Sequence, residues 1–376
     1  MPDTSVVYFD STMTGAPALS GTAGTLIGLL DACLQDGFGG VTLDSLVVAS
    51  NVATATYSSG HGFAMVGNTG PVILIAGATP AGLNGKWRVT VTSTTQFTFA
   101  TSGISNQTAS GTITAKRAPA GFTKVYSGTN KAAYRADNVQ STRCYLRVDD
   151  STNYSAACIG YQSMSDIDTG TDPFPSSSDF GISRSNTTSG TARPWVLIAD
   201  DRLFYLHVYY GSAGDYYAMA AFGDIRSRLS ADAYHCLLAR SNGGAGGVAP
   251  AYGGTNGGLF SANTAGLVMP RSYTQIGTAV AAVLYSTLVT TWGLSSIAYP
   301  DAVNNDLIVA PILVFESAGL MRGTLPGLYA PLNALNSAIH KTIVSNIIGL
   351  TDRDIILLNS YSASYGIAFD LTGPWR

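Results

Sequence analysis

Three aspartates in the run Asp166-Ile-Asp168-Thr-Gly-Thr-Asp172 come closest to a metal-binding pattern in this chain. Carboxylates at alternate positions around a glycine can converge on a hard cation such as calcium, because one tight turn brings their oxygens to a single ion. The glutamate that closes an EF-hand loop at its twelfth position is missing, so that motif is excluded. A solvated acidic loop is the alternative. The four histidines, His61, His207, His235 and His340, form no H-E-x-x-H or H-x-H pattern. Glu316 is the single glutamate among 23 acidic residues. A glycosidase acid/base pair would therefore have to be built from aspartates alone. No G-x-S-x-G, Walker loop or G-x-G-x-x-G ahead of a helix occurs, and no strand precedes the glycines at 243–247 to make them an anion cradle. His207 lies between Tyr205 and Tyr209, where a histidine hydrogen-bonded within a sheet is expected. The expectation is no catalytic residue and no cofactor or metal, with Asp166, Asp168 and Asp172 as the one candidate calcium loop.

The elements that would have to position any such groups are strands. The stretch Trp195 to Phe222 holds two runs rich in Val, Ile, Leu, Phe and Tyr on either side of Asp200-Asp201, and a third after Gly211. Aromatic and β-branched runs broken by Asp and Gly at short spacing predict an antiparallel meander. Leu203, Tyr205 and His207 alternate with Phe204, Leu206 and Val208, so both faces are apolar and a strand covered on two sides is expected. The pairs Asp149-Asp150 and Asp200-Asp201 each follow an apolar strand, where an aspartate accepts amide hydrogens two residues on. One helix is expected early, since Leu26, Leu29, Leu30, Cys33 and Leu34 share a face before the Gly37-Phe-Gly-Gly40 stop. Ser20, Thr22 and Thr25 are its candidate N-caps. A second helix is read at 331–347, packing Leu332, Leu335 and Ile339.

Charged residues make only 11% of the chain, against about 25% in an average soluble domain. The strong preference for Asp over Glu favours turns over helix interiors. The fold class expected is all-β, mainly antiparallel β-sandwich domains with one or two short helices. Residues 1–45 supply a strand and helix that pack on the main domain. Residues 46–117 read as an inserted small β-sandwich, with turn signals every 8–12 residues and Trp87 as a core anchor. Residues 118–376 form the main β domain, with a polar loop at 163–191 and a Gly-rich arm at 241–272. That arm offers Leu259, Phe260, Leu267 and Met269 as apolar anchors for contacts between subunits. Tyr216 and Tyr217 join them as interface candidates, because tyrosine gives contact area with one polar tip. A net charge of −3 carries no basic patch for nucleic acid. No apolar stretch reaches the ~20 residues of a membrane span, and no secretory signal opens the chain. Cys33, Cys144, Cys158 and Cys236 have no metal-ligand spacing and read as buried free thiols.

Residues Gly60-His-Gly-Phe63, Ile75 to Val89 and Phe97-Thr-Phe99 resemble the small Ig-like β modules of tailed-phage structural proteins. The opening Tyr8 to Pro17, the strands from Trp195 to Asp224 and the closing Phe369 to Arg376 resemble virion proteins of phages and prophages. The resemblance implies a virion component of the tail, baseplate or tail fibre, assembled in the bacterial host cytoplasm. It transfers no catalytic residue, and the low share of charged residues points to a homo-oligomer whose partners are other virion proteins. A capsid decoration protein is one alternative. A carbohydrate-binding or polysaccharide-degrading phage protein that meets a host-surface glycan is the other, resting on the tyrosines and the aspartate loop.

Overall fold

A computed structural model describes residues 2–176, 179–209, 211, 217–240, 266–286, 299–301, 303, 305–316, 319–333, 335, 340–359 and 366–376. Strands hold 51% of the described residues and helices 5%, so the fold is all-β with several antiparallel sheets. The largest has thirteen described strands. It runs Val7–Asp10, Trp195–Ala199, Leu203–Tyr209, Tyr217–Asp224, Cys236–Arg240, Leu267–Met269 and Val280–Ser286. It continues through Val309–Glu316, Met321–Pro331, Gly366–Asp370 and Leu350–Asn359 to Thr342–Ile347, with Arg226–Ser227 paired to the side.

This sheet folds back on itself. Val196, Ile198, Tyr205, Met219 and Leu237 from its first half share one core with Ile312, Val314, Ile356, Leu358 and Phe369 from its second. Tyr205 marks the join: its ring centroid is 5.3 Å from that of Phe369 and 5.8 Å from that of Trp375. Its hydroxyl donates to the Pro326 carbonyl at 2.9 Å. Trp375 fits because position 327 is glycine, where a Cβ would lie 2.0 Å from the indole. The other face of the first half carries Leu197, Phe204, Leu206, Val208 and Phe222 into a second core. There they meet Tyr134, Leu146, Phe174 and Phe180 of a six-stranded sheet built from Phe122–Gly128 to Phe180–Ser183. The strand Leu203–Tyr209 thus lies between two apolar layers, which is why its sequence is apolar on both faces.

The predicted helix forms over Thr25–Leu30 and continues as a wider turn, Asp31–Asp36. Leu26, Leu29, Leu30, Cys33 and Leu34 are all buried against the second core. Gly37 stops it with φ +73°, and a Cβ there would meet the Arg117 carbonyl at 2.2 Å. The cap is none of the three hydroxyl residues. The N-cap is Gly24, and the Asp150 carboxylate accepts from the Leu26 and Ile27 amides at 2.9 and 3.3 Å.

The inserted module is a sandwich of a four-stranded and a five-stranded sheet around Leu46, Val48, Ile73, Ile75, Phe97 and Phe99. It begins earlier than residue 46, since Phe38–Thr42 pairs with the closing strand Thr114–Arg117. The chain therefore enters and leaves the module on neighbouring strands. Trp87 is only half-buried, stacked on Phe99 at 4.7 Å with its indole N–H on the Leu83 carbonyl at 2.9 Å. Phe97 is the more deeply buried anchor.

Three further expectations change. The segment 163–191 is not one long loop: Gly170–Phe174 and Phe180–Ser183 pair with Ser155–Met164, and Phe174 and Phe180 are core residues. Residues 331–347 do not form a helix throughout, because Thr342–Ile347 is a strand paired with Leu350–Asn359. Its β-branched residues outweigh the spacing of Leu332 and Leu335, and Ile339 lies outside the described residues. The arm at 241–272 ends in the sheet strand Leu267–Met269; its residues 241–265 lie outside the described residues.

Candidate interaction surface

The groups able to do chemistry are engaged one by one, some at the surface and some inside the fold. Asp168 accepts from Lys131 at 2.8 Å and Arg147 at 2.7 Å. Asp172 pairs with Arg271 at 3.0 Å, and Asp166 accepts the Asp168 amide at 2.8 Å. The three carboxylates of the candidate calcium loop are thus each tied to a different cation or to backbone. Among the described residues, no group of three or more His, Cys, Asp or Glu is placed to hold a metal ion. His61 is buried with Nδ1 accepting the Phe63 amide at 3.0 Å and Nε2 on the Ser93 carbonyl at 3.1 Å. His207 donates from Nε2 to the Asn359 carbonyl at 2.6 Å, and burial pushes its pKa down to about 3, so the ring is neutral. His340 accepts the Asn359 amide on Nδ1 at 3.2 Å. The four cysteines are free and buried, and burial raises the Cys33 and Cys158 thiols.

The interface candidates divide. Leu267 and Met269 are 4% and 0% exposed, so they belong to the core of this chain and not to a docking arm. A three-residue strand at the sheet's centre leaves their side chains no route outward. Tyr217 is also buried, its ring 4.9 Å from His207 and 5.2 Å from Tyr209. Leu259, Phe260 and Tyr216 lie outside the described residues.

What the sequence reading missed is the work of arginine. The chain has 15 arginines against 5 lysines, and that ratio is the available signal, since a guanidinium can bond several carbonyls at once. Arg88 donates to the carbonyls of Asp3 at 2.6 Å, Gly70 at 2.8 Å and Val6 at 2.8 Å. Arg117 donates to Thr14 and Gly62 carbonyls at 3.1 and 2.7 Å between the rings of Phe38 and Phe63. Burial lowers the Arg117 pKa to about 10, which leaves it charged at neutral pH. Arg184 is fully buried, paired with Asp150 and bonded to the Thr22 carbonyl at 2.8 Å. Arg376 joins Asp200 at 2.8 Å to the Asp224 carbonyl at 2.7 Å.

Arg322 organises an exposed apolar surface. It donates to the buried carboxylates of Asp232 at 2.7 Å and Glu316 at 2.6 Å and to the part-buried Arg271 carbonyl at 2.8 Å. Three loops meet at this network, and they are further tied by Gln275 to the Ala231 carbonyl at 2.9 Å. On their outer side stand Leu229, Tyr273, Ile276, Leu320 and Met321, with Ile276 75% exposed. Buried charge holds the loop backbones while their apolar side chains face outward, an arrangement that suits contact with a partner. No helix among the described residues is long and apolar enough to cross a membrane.

These features define a class, an all-β protein of stacked antiparallel sheets whose charges are internal fastenings. Compared with known proteins, the chain matches no family model and no curated protein.

Proposed function

We propose that the protein is a structural component of a bacteriophage virion, in the tail, baseplate or tail fibre. It acts there by contacts with its own copies and with other virion proteins, without catalysis. The observation that carries this reading is the direction of its charge. Arg88, Arg117, Arg184, Arg322 and Arg376 all turn onto carbonyls or carboxylates of distant segments, and the surface left outside is poor in charge. Such a surface resists association weakly, which suits a subunit that works in contact. The resemblance of the inserted module to Ig-like modules of tailed phages supports the same address.

Immunogold labelling of purified particles tests the address: label on the tail or baseplate is expected. Label confined to the head shell would make it a decoration protein. Turnover of a host-surface polysaccharide by the purified chain would overturn the non-enzymatic part.

A further inference from the structure

Among the described residues, none covers the outward face of the inserted module's outer sheet. Its strands lie in the order Thr90–Val91, Gln96–Ala100, Val52–Thr56, Ser45–Ala49, Gln107–Thr108. Side chains alternate along each strand, so Leu46, Val48, Ala53, Ala55, Phe97 and Phe99 fill the module core. Their neighbours point away from it. The register sets Thr90, Thr98, Thr54, Val47 and Thr108 side by side across all five strands. The flanking rows are Ser45, Thr56 and Gln96 on one side and Ala49, Val52 and Ala100 on the other. Val47 and Val52 are 37% and 41% exposed.

Not one of these residues is charged. The module's four cations, Lys86, Arg88, Lys116 and Arg117, all belong to Gly85–Arg88 and Thr114–Arg117 of the other sheet. That sheet faces the main body, where Phe38, Val72 and Leu74 pack into the core beneath the helix. The module's cations have been sorted to the joint; its one carboxylate, Asp44, sits exposed at the end of the outer sheet, accepting the Ser58 amide at 2.6 Å, and the rows of the outward face are neutral.

We propose that this face is a contact between two copies of the chain, packed face to face about a twofold axis near Thr54, the middle of the central row. The inference rests on the assembly reading above and names one of its interfaces. A twofold contact places each residue type against its own kind or a near neighbour, so a charged face would meet like charge. A face of threonine, valine, serine and glutamine meets no such penalty, and each hydroxyl both donates and accepts. A charged partner would instead leave its ions desolvated against groups that cannot neutralise them. A glycan is disfavoured because no aromatic ring stands in these rows for a sugar to lie on. Three strands of five residues and two of two, each residue covering about 4.8 Å by 3.3 Å, span roughly 300 Å². That is well under half of the ~800 Å² each partner gives to a standard stable interface. The face is therefore one of several contacts in an assembly, and not the basis of an isolated dimer.

The test uses the full chain. Thr54→Lys and Thr54→Lys/Thr98→Lys place cations in the central row, and sedimentation over a concentration series reads the mass. A near-ultraviolet circular dichroism spectrum and Tm equal to the parent's show that the fold is kept. The parent is expected to associate, and the double variant to show about a twofold loss of weight-average mass at equal concentration. In a second arm, Thr54→Cys is oxidised, and a self-cross-linked dimer is expected, since the four native cysteines are buried. A parent that associates while the lysine variants keep its mass and Thr54→Cys forms no dimer overturns this inference alone. A parent monomeric at every concentration overturns both it and the assembly reading.

Discussion

Arg322 has two buried carboxylates, Asp232 and Glu316, as partners. Removing the guanidinium leaves both uncompensated, and breaking a buried pair from one side costs about 3–5 kcal/mol. Arg322→Met is expected to lose that much in urea unfolding, and a loss under about 1 kcal/mol would show the carboxylates to be solvated. His207 makes a different prediction, because its ordinary pKa of 6.5 falls to about 3 on burial. A depressed pKa means the neutral ring's contribution is complete above the unfolded value and is lost as pH falls from 6.5 toward 3. Asp150 works in the opposite sense: burial, opposed by Arg184 and the helix amides, raises its pKa to about 6. Its contribution is complete below the ordinary carboxylate range and is lost as pH rises through 6. Burial raises Asp224 and Asp370 as well, and the parent's acid profile sums all of these, so the informative quantity is the difference between parent and His207→Gln. That difference should shrink by about 1.4 kcal/mol per pH unit between about pH 6 and pH 4.5. A constant gap in urea midpoints would show that His207 does not titrate this way. The sequence made the residue types plain but not these partnerships: Asp232 and Arg322 are 90 positions apart, and no spacing rule reaches that far.

Elements were legible where one physical pattern governed them. The alternation from Leu203 to Val208 foretold a strand covered on both faces, and the five apolar residues from Leu26 to Leu34 foretold a helix with one buried side. Where two patterns competed, the sequence misled. In 331–347, leucines at helical spacing sat beside Ile343, Val344 and Ile347, and pairing with Leu350–Asn359 decided for strand. In 163–191, polar and proline residues hid Phe174 and Phe180, each a core residue in a short strand. The inserted module was legible as a sandwich, but its first strand, Phe38–Thr42, was read as part of the helix stop. Residues 38–117 expressed alone are accordingly expected to unfold cooperatively in urea, while 46–117, lacking the strand beside Thr114–Arg117, should be markedly less stable. Within the module, Phe97→Ala should cost about 3–5 kcal/mol, and the half-buried Trp87→Ala clearly less. Equal costs would mean that the indole is as enclosed as the phenyl ring.

At the scale of the molecule, the question is what makes one body of separate cores. The module has its own core, distinct from the two cores of the folded sheet. The large sheet ends at Val7–Asp10 and Thr342–Ile347, and these ends approach each other, with Lys341 Nζ 3.4 Å from Asp10. A loop of the module lies over this seam: the Asn68 amide and the Thr69 hydroxyl donate to Asp354 at 2.8 and 2.6 Å. The Asn68 side-chain amide also donates to the Ser345 hydroxyl on the edge strand Thr342–Ile347 at 3.3 Å, so the loop covers part of that edge. Arg88 is the fastening at the same place. Its guanidinium reaches carbonyls of the N-terminal segment (Asp3, Val6), the module loop (Gly70) and, at 3.5 Å, the C-terminal segment (Thr372). Arg117 repeats the device between Thr14 and Gly62. Replacing either by methionine keeps the stem's packing but strands carbonyls without a donor, at about 1–3 kcal/mol for each that water does not reach. The double variant Arg88→Met/Arg117→Met should therefore do more than lower stability. With both fastenings gone, the module core and the main cores should melt apart, so calorimetry should show two transitions where the parent shows one. If the double variant still unfolds in a single transition at a lower temperature, the apolar contact of Phe38, Val72 and Leu74 couples the cores by itself, and the arginines stabilise the joint without making it.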